Sequence, residues 1–318
     1  MFLESFKITG LAVMQIFLLA GIGYFLVKKS ILGPEGLNSL SRLVMEVTFP
    51  VMIFCQLIKD FRFGSYPGWW LLPLLSLLIT LIGLLVGAIF VGLLKGQEHR
   101  MQFLSLVTFQ NSGYLPLALV AAMLPPEKLG TVFIYIFLFL MGFNLVMFSA
   151  GVHMLTFHKN KKFELASLFS PPVVAIGATL ILIGLGLNKF VPEAALKPLR
   201  LLGDCTLPLA MFVVGGSLAE IRLRHINKKA IALLILAKMI IMPLVGLWVV
   251  VKFRVPELIG LLIIIQLAMP AATTLSIITR HYKREDLLVS QGVFFSHIVS
   301  ILTIPLFLSL YFALVVIK

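Results

Sequence analysis

Charged residues are scarce in this sequence. They make up 12% of the 318 residues, whereas an ordinary soluble domain contains about 25%. Apolar residues make up 60%, and the mean hydropathy is +1.08. Apolar runs of about 18 residues or more recur from end to end, and each is long enough to cross a hydrocarbon layer of about 30 Å as a helix. The composition excludes a soluble globular protein and predicts an integral membrane protein.

Acidic residues and cysteines are also few. The 13 acidic residues stand against 26 basic ones, which gives a formal net charge of +13. Because the basic residues fall in short connectors between apolar runs, lipid headgroups and topology account for them, and we expect no nucleic-acid partner. The two cysteines, Cys55 and Cys205, lie in apolar segments without metal-type spacing, and we expect both to be core residues.

The sequence has none of the short motifs that carry catalysis or nucleotide binding. It contains no HExxH, no glycine-rich phosphate loop and no GxSxG. We therefore expect no enzyme, no ATP-driven transport, no metal and no cofactor. The first apolar stretch is longer than a signal-peptide core and has no small-residue cleavage site near its end, so we expect it to remain as a helix.

Ten apolar spans, separated by charged residues or by Pro and Gly, organise the chain. They predict an all-α integral membrane protein with ten transmembrane helices. The longest polar connector, residues 158–170, leaves no room for a soluble domain. The spans lie near residues 8–27, 38–58, 69–94, 101–122, 130–157, 171–188, 196–219, 229–251, 256–279 and 287–317.

The second half of the sequence resembles the first. An offset of 158 residues gives seven identities in 21 ungapped positions and also places Glu46 on Asp204. Chance similarity between two hydrophobic helices is the alternative explanation. The identical pairs are Pro34 with Pro192, Glu35 with Glu193, Arg42 with Arg200, Leu43 with Leu201, Thr48 with Thr206, Pro50 with Pro208 and Phe54 with Phe212.

Five spans in each half would make the two halves enter the membrane from opposite sides, because five is an odd number. The sequence therefore predicts a 5+5 inverted repeat, an architecture typical of secondary transporters. Its units are residues 1–157 and 171–318, joined by a cytoplasmic connector at 158–170. Fourteen Lys and Arg fall in the connectors on one side and ten on the other, a bias that favours both termini outside.

Spans four and nine each carry a proline and a cluster of polar residues near the middle. Proline breaks a helix, and in hydrocarbon the freed backbone groups need protein partners or a water-lined cavity. We predict broken crossover helices four and nine and a substrate site between them, with a simple proline kink and interhelical hydrogen bonding as the alternatives. The candidate substrate-binding residues are Gln110, Asn111, Ser112, Gly113, Pro116, Gln266, Met269, Pro270, Thr273 and Thr274.

Ionisable groups inside the spans are candidates for coupling or support, because they are costly in a bilayer. Glu46 and Asp204 are repeat-related and are expected either to form a proton- or sodium-responsive pair or to pair with nearby basic residues. Lys238 is expected to pair with a carboxylate of the substrate or of the protein, with a purely structural pairing as the alternative. His297 is the candidate proton-sensitive histidine, with a hydrogen-bonded core role as the alternative.

The broken spans and the end of the chain resemble the auxin efflux carrier family, which includes plant PIN carriers and bacterial permeases. The resemblance rests on Asn111–Pro116, on Ala268–Thr273 and on Leu302–Pro305, and it covers the whole chain. It implies a scaffold of helices one, two, six and seven, a transport domain in which helices four and nine cross, an organic carboxylate substrate and a homodimer. The long central cytoplasmic loop of the plant carriers is missing here.

The function predicted from these features is secondary transport of a small organic anion, a mono- or dicarboxylate, by alternating access. A broken helix presents free amides and a positive dipole end to its cavity, which suits a carboxylate. Coupling to protons or Na⁺ stays open. A sodium-coupled symporter of the bile-acid type and a membrane sensor that does not transport are the alternatives. The expected location is the cell membrane, with lipids and the anion as partners.

Overall fold

The computed structural model describes residues 2–156, 169–281 and 287–316, and within these ranges the chain forms helices and no β-strand. Most of the connector predicted at 158–170 lies outside the described residues. The main helices are α1 (Phe2–Lys28), α2 (Pro34–Asp60), α3 (Leu71–Val91), α4 (Gln97–Thr108), α5 (Tyr114–Met123), α6 (Pro126–Leu155), α7 (Pro171–Gly184), α8 (Glu193–Ala219), α9 (Lys228–Lys252), α10 (Glu257–Ala268), α11 (Thr273–His281) and α12 (Leu287–Val315).

Seven helices in the described part of the chain are long and apolar enough to cross a membrane. They are α1, α2, α3, α6, α8, α9 and α12, with lengths of 21 to 30 residues. At 1.5 Å per residue, 21 residues span about 30 Å. Spans four and nine of the sequence are instead two short helices each, and span six is the 14-residue α7. The count of ten crossings therefore stays a prediction.

Several long helices contain a widened, π-helical turn. These turns lie at Val44–Thr48 in α2, at Met147–Gly151 in α6 and at Ile235–Ile241 in α9. Such turns often occur at functional sites, because the extra residue redirects side chains. Two of the ionisable candidates, Glu46 and Lys238, lie in them.

Helices α2 and α8 have matching bounds. Each is 27 residues long, and α2 begins at Pro34 while α8 begins directly after Pro192, its counterpart at the offset of 158. Both helices also change geometry near the same point, at the π turn of α2 and at Cys205 of α8. These bounds agree with the repeat in the sequence, although superposition of the two halves remains a prediction.

Small residues bring helix backbones into close contact. A Cβ atom on Gly215 of α8 would overlap the carbonyl oxygen of Ala20 on α1, and a Cβ on Gly23 would overlap the backbone of Phe212. On the other side of α8, a Cβ on Gly203 would lie 3.0 Å from the Cα of Met52 on α2. Close backbone packing through small residues is the usual way helices associate in a membrane.

The outer helices expose apolar side chains, whereas the broken segments are buried. Leu11 and Leu18 of α1 and Leu78 and Leu85 of α3 are more than half exposed. An exposed apolar surface of this extent suits contact with lipid. Residues 102–112 and 260–272 are buried throughout, so both helix breaks lie at the centre of the bundle.

Candidate functional site

Two short segments of extended chain form the centre of the candidate site. The first joins α4 to α5 across residues 109–113, and the second joins α10 to α11 across residues 269–272. Phe109 and Met269, directly after the first helix of each pair, have extended backbone. Pro116 lies in the first turn of α5, where a missing amide hydrogen costs little, and Pro270 lies within the second break.

The two breaks pair with each other. Gln110 and Ala271 face each other in an antiparallel bridge. The Asn111 amide donates to the Pro270 carbonyl at 2.8 Å, and the Ala272 amide donates to the Phe109 carbonyl at 3.0 Å. The broken backbone thereby satisfies part of its own hydrogen bonding, which it needs because no water reaches the hydrocarbon region.

A hydroxyl group of α12 supports the second break from another side. The Ala271 amide donates to Ser296 Oγ at 3.2 Å, and Ser296 Oγ donates in turn to the Val293 carbonyl at 3.0 Å. Ser296 is fully buried. Its hydroxyl therefore supplies the acceptor for an amide that has lost its helical partner.

A small cavity of about 60 Å³ lies against both breaks, and α2, α6 and the start of α7 complete its wall. Tyr114 at the start of α5 and Thr273 and Thr274 at the start of α11 line it, so two helix N-termini meet at one cavity. Among the residues that the structure describes, no Asp or Glu lines it. The lining residues are Met45, Phe49, Gln110, Asn111, Ser112, Gly113, Tyr114, Leu140, Phe143, Asn144, Met147, Phe148, Pro172, Ala272, Thr273 and Thr274.

Buried amide side chains at the breaks have polar atoms without a partner. Asn111 Oδ1 accepts from the Leu115 amide at 3.5 Å, which leaves Asn111 Nδ2 unpaired. Both polar atoms of the Gln110 side chain are also unpaired. Buried polar atoms are normally hydrogen-bonded, so unpaired ones beside a cavity indicate a place for a polar ligand.

The structure divides the ten predicted substrate-binding residues into two groups. Six line the cavity, namely Gln110, Asn111, Ser112, Gly113, Thr273 and Thr274. The other four, Pro116, Gln266, Met269 and Pro270, are buried but do not line it. Gln266 Nε2 donates to the Ser112 carbonyl at 3.1 Å, and the Pro270 carbonyl accepts from Asn111. These two residues support the breaks.

Glu46 and Asp204 have different surroundings. Arg42 Nε donates to Glu46 Oε1 at 3.1 Å, one turn away on the same exposed helix face, so the expected alternative of a basic partner holds for Glu46. Asp204 lines a separate cavity of about 370 Å³ together with Gln56, Lys59 and Arg200.

Cys205 is exposed, whereas the sequence predicted a core residue. Cys55 is buried as expected. The prediction for Cys205 was wrong because its apolar neighbours on α8 do not distinguish a position facing lipid from a position facing protein.

Lys238 and His297 are both fully buried behind the breaks. Lys238 Nζ donates to the Val107 carbonyl at 2.7 Å, so the partner that the structure shows is a backbone carbonyl, a structural pairing, and not a carboxylate of the protein. His297 Nδ1 lies 2.8 Å from the Val293 carbonyl on its own helix, and Nε2 has no partner.

Sequence reasoning missed most of the cavity wall outside the breaks. Asn144 could have been found, because it is an amide inside an otherwise apolar span. The aromatic residues Phe49 and Tyr114, whose rings lie 5.5 Å apart, carry no such signal. Ser296, which supports the second break, was also missed, because buried serines are common in membrane helices and do not by themselves indicate a site.

These features define a multi-pass helical membrane protein whose two broken helices pair beside a polar cavity, which is the plan of a membrane transporter. The sequence model of the family described as "Membrane transport protein" matches residues 10–163 and 153–308. The chain therefore belongs to this family, the auxin efflux carrier family, whose members are transporters and not enzymes.

Relatives in Arabidopsis thaliana support this assignment. Protein PIN-LIKES 1 is 23% identical over 310 residues, and Protein PIN-LIKES 7 is 24% identical over 318 residues. Each match covers 77% of this chain, and the matches cover 65% and 80% of the two relatives. The chain thus spans slightly less than two thirds of PIN-LIKES 1. Protein PIN-LIKES 6 is 27% identical over 124 residues, 38% of this chain and 29% of its own length.

Proposed function

We propose that the chain is an alternating-access carrier of a small organic anion, a mono- or dicarboxylate, which binds between the two helix breaks. The observation that carries this proposal is the meeting of two helix N-termini, those of α5 and α11, at one buried cavity. Each N-terminus supplies the positive end of a helix dipole, which stabilises a carboxylate.

The side chains of the cavity support an anion as well. Asn111 Nδ2 is an unpaired donor, and Thr273 and Thr274 add hydroxyl groups. Because the described part of the wall contains no carboxylate, an incoming anion meets no like charge there. Hydrogen-bond donors without a fixed cation in the wall also bind reversibly enough for release, as a carrier requires.

The proposal includes ten membrane spans arranged as a 5+5 inverted repeat. Spans four and nine, which are the helix pairs α4–α5 and α10–α11, cross each other in this arrangement. The offset of 158 residues, the matching bounds of α2 and α8, and the occurrence of one break in each half support it. The repeat units are residues 1–157 and 171–318, with 158–170 as the cytoplasmic connector. Both termini lie on the outer side of the cell membrane in this arrangement.

Purified protein in proteoliposomes tests the function directly. A thermal-shift screen of mono- and dicarboxylates identifies ligands, and counterflow of the radiolabelled ligand then measures movement across the membrane. We expect a carboxylate to raise the unfolding temperature and to exchange at a rate well above that of empty liposomes. Binding without counterflow would instead indicate a sensor, and stabilisation by organic cations alone would contradict the proposed anion site.

A further inference from the structure

Lys238 is fully buried, and it is the single Asp, Glu, Lys or Arg that is buried among the residues whose side-chain exposure the structure describes. It lies in the π-helical turn of α9, at Ile235–Ile241, and reaches across to another helix. Its Nζ is 2.7 Å from the carbonyl oxygen of Val107, the second-last residue of α4. The amine is therefore fixed at the C-terminal end of the helix that leads into the first break.

A cation is favoured at this position. The last carbonyl groups of a helix have no partner within it, and the helix dipole gives this end a partial negative charge. The Thr108 hydroxyl oxygen, one residue further on, is also buried and has no partner. No carboxylate forms an ion pair with Lys238 in the described part of the chain, and the acceptor that the structure shows for its amine is the Val107 carbonyl.

In carriers built from inverted repeats, half-helix N-termini face the anionic substrate, and half-helix C-terminal ends coordinate Na⁺. The same division of roles is present here. The N-termini of α5 and α11 face the cavity, while the end of α4 holds an ammonium group. A primary ammonium group and a sodium ion carry the same charge and both bind carbonyl oxygens.

We propose that Lys238 is a tethered cation: its ammonium group occupies the place behind the first break where Na⁺ would bind in a sodium-coupled carrier, so that this chain binds its anion without Na⁺. This inference rests on the proposed carrier function. It assigns Lys238 as a positioning residue, since it acts through the backbone of α4 and does not line the cavity.

The first half of the chain has no lysine at the position that corresponds to Lys238. At the offset of 158 residues, the counterpart of Lys238 is Thr80 on α3, whose hydroxyl donates to the Ser76 carbonyl of its own helix at 2.8 Å. The support that the structure shows for the second break is the neutral hydroxyl of Ser296. The tethered cation therefore serves one break of the two.

Two substitutions of Lys238 distinguish the effect of its charge from the effect of its side-chain volume. Lys238→Ala removes the ammonium group and leaves space beside the Val107 carbonyl, where a small cation can enter. Lys238→Met removes the charge but fills the space. Lys252→Ala, at the exposed end of the same helix, is the matched control.

The test is counterflow of the radiolabelled carboxylate in matched NaCl, NH₄Cl and choline chloride buffers. Wild type and Lys252→Ala are expected to give equal rates in all three. Lys238→Ala is expected to lose about ten- to one-hundred-fold in choline, because a buried carbonyl loses its partner, and to regain much of this in NaCl or NH₄Cl. Lys238→Met is expected to stay slow in every buffer, since no cation fits.

Three results would overturn the inference. Counterflow by the wild-type protein that requires Na⁺ would overturn the inference even if no variant folds. This result would leave the proposed carrier function intact. A folded Lys238→Ala protein that is fully active in choline, or equally inactive in all three salts, would also overturn the inference. Absence of counterflow by wild type in any buffer would instead remove the proposed function itself.

Discussion

The backbone amide of Asn111 donates to the carbonyl of Pro270 at 2.8 Å, which joins two segments that are 159 positions apart in the sequence. The Pro270 carbonyl is available as an acceptor because Pro270 lies in the break between α10 and α11, outside both helices. The bond fixes Asn111 so that its side chain faces the cavity. A backbone contact between the two breaks thus sets the position of a side chain in the candidate site.

Asn111→Ala should weaken anion binding by about 1–3 kcal/mol, because the unpaired Nδ2 donor is lost while its backbone bond to Pro270 remains. Isothermal titration with the best carboxylate from the ligand screen measures the change. Asn38→Ala is the control, since Asn38 is an exposed amide on α2 outside the candidate cavity. Equal affinities for wild type and Asn111→Ala would mean that the amide only supports the backbone.

Ser296→Ala should lower the unfolding temperature more than Ser300→Ala does. Both serines are fully buried on α12, but Ser296 accepts from the Ala271 amide, whereas Ser300 only donates to His297 of its own helix. Removal of Ser296 Oγ leaves a buried amide without a partner, which costs about 1–3 kcal/mol. Thermal unfolding in detergent measures both variants. Equal losses would contradict a special role for Ser296 at the break.

Gly215→Val should destabilise the protein by about 1–3 kcal/mol or more, because added side-chain atoms would overlap the Ala20 carbonyl and force α1 away from α8. Gly177→Val on α7 is the control, since a Cβ atom there meets nothing within 4 Å. The free energy of unfolding, measured by chemical denaturation in mixed micelles, compares the two variants. If both lose the same amount, the α1–α8 contact is looser than the structure shows.

The predicted orientation can be tested on a single helix. Lys228 and Lys252 lie at opposite ends of α9, and both are exposed. In a cysteine-free background, a membrane-impermeant maleimide added to intact cells should label Lys252→Cys and should label Lys228→Cys only after the cells are opened. The reverse pattern would place both termini inside.

The two helix breaks could be predicted from the sequence because they contain residue types that are uncommon in membrane spans. A membrane span tolerates few polar residues and few prolines, so Gln110 to Pro116 and Gln266 to Thr274 stand out from their apolar surroundings. The local pattern indicates where a helix ends, but not what the freed backbone bonds to. The pairing of Gln110 with Ala271 is a long-range contact, and no local periodicity encodes its register.

Partners of buried polar groups were harder to predict. Lys238 bonds a carbonyl 131 residues away, and the expected carboxylate partner was an inference from charge alone. The prediction that Cys205 is a core residue was wrong for a related reason. Both lipid and protein interiors are apolar, so hydropathy shows that a residue avoids water but not which of the two it faces.

The labelling rates of the two cysteines can report on motion within the protein. Cys55 is buried in the wall of the cavity that Asp204 also lines, while Cys205 is exposed one position beyond that aspartate. A membrane-permeant thiol-reactive dye therefore reaches Cys205 directly, and it reaches Cys55 only when the gap between α2 and α8 widens. The ratio of the two labelling rates in the unmodified protein measures how often that gap opens, with the faster site correcting for the reactivity of the dye.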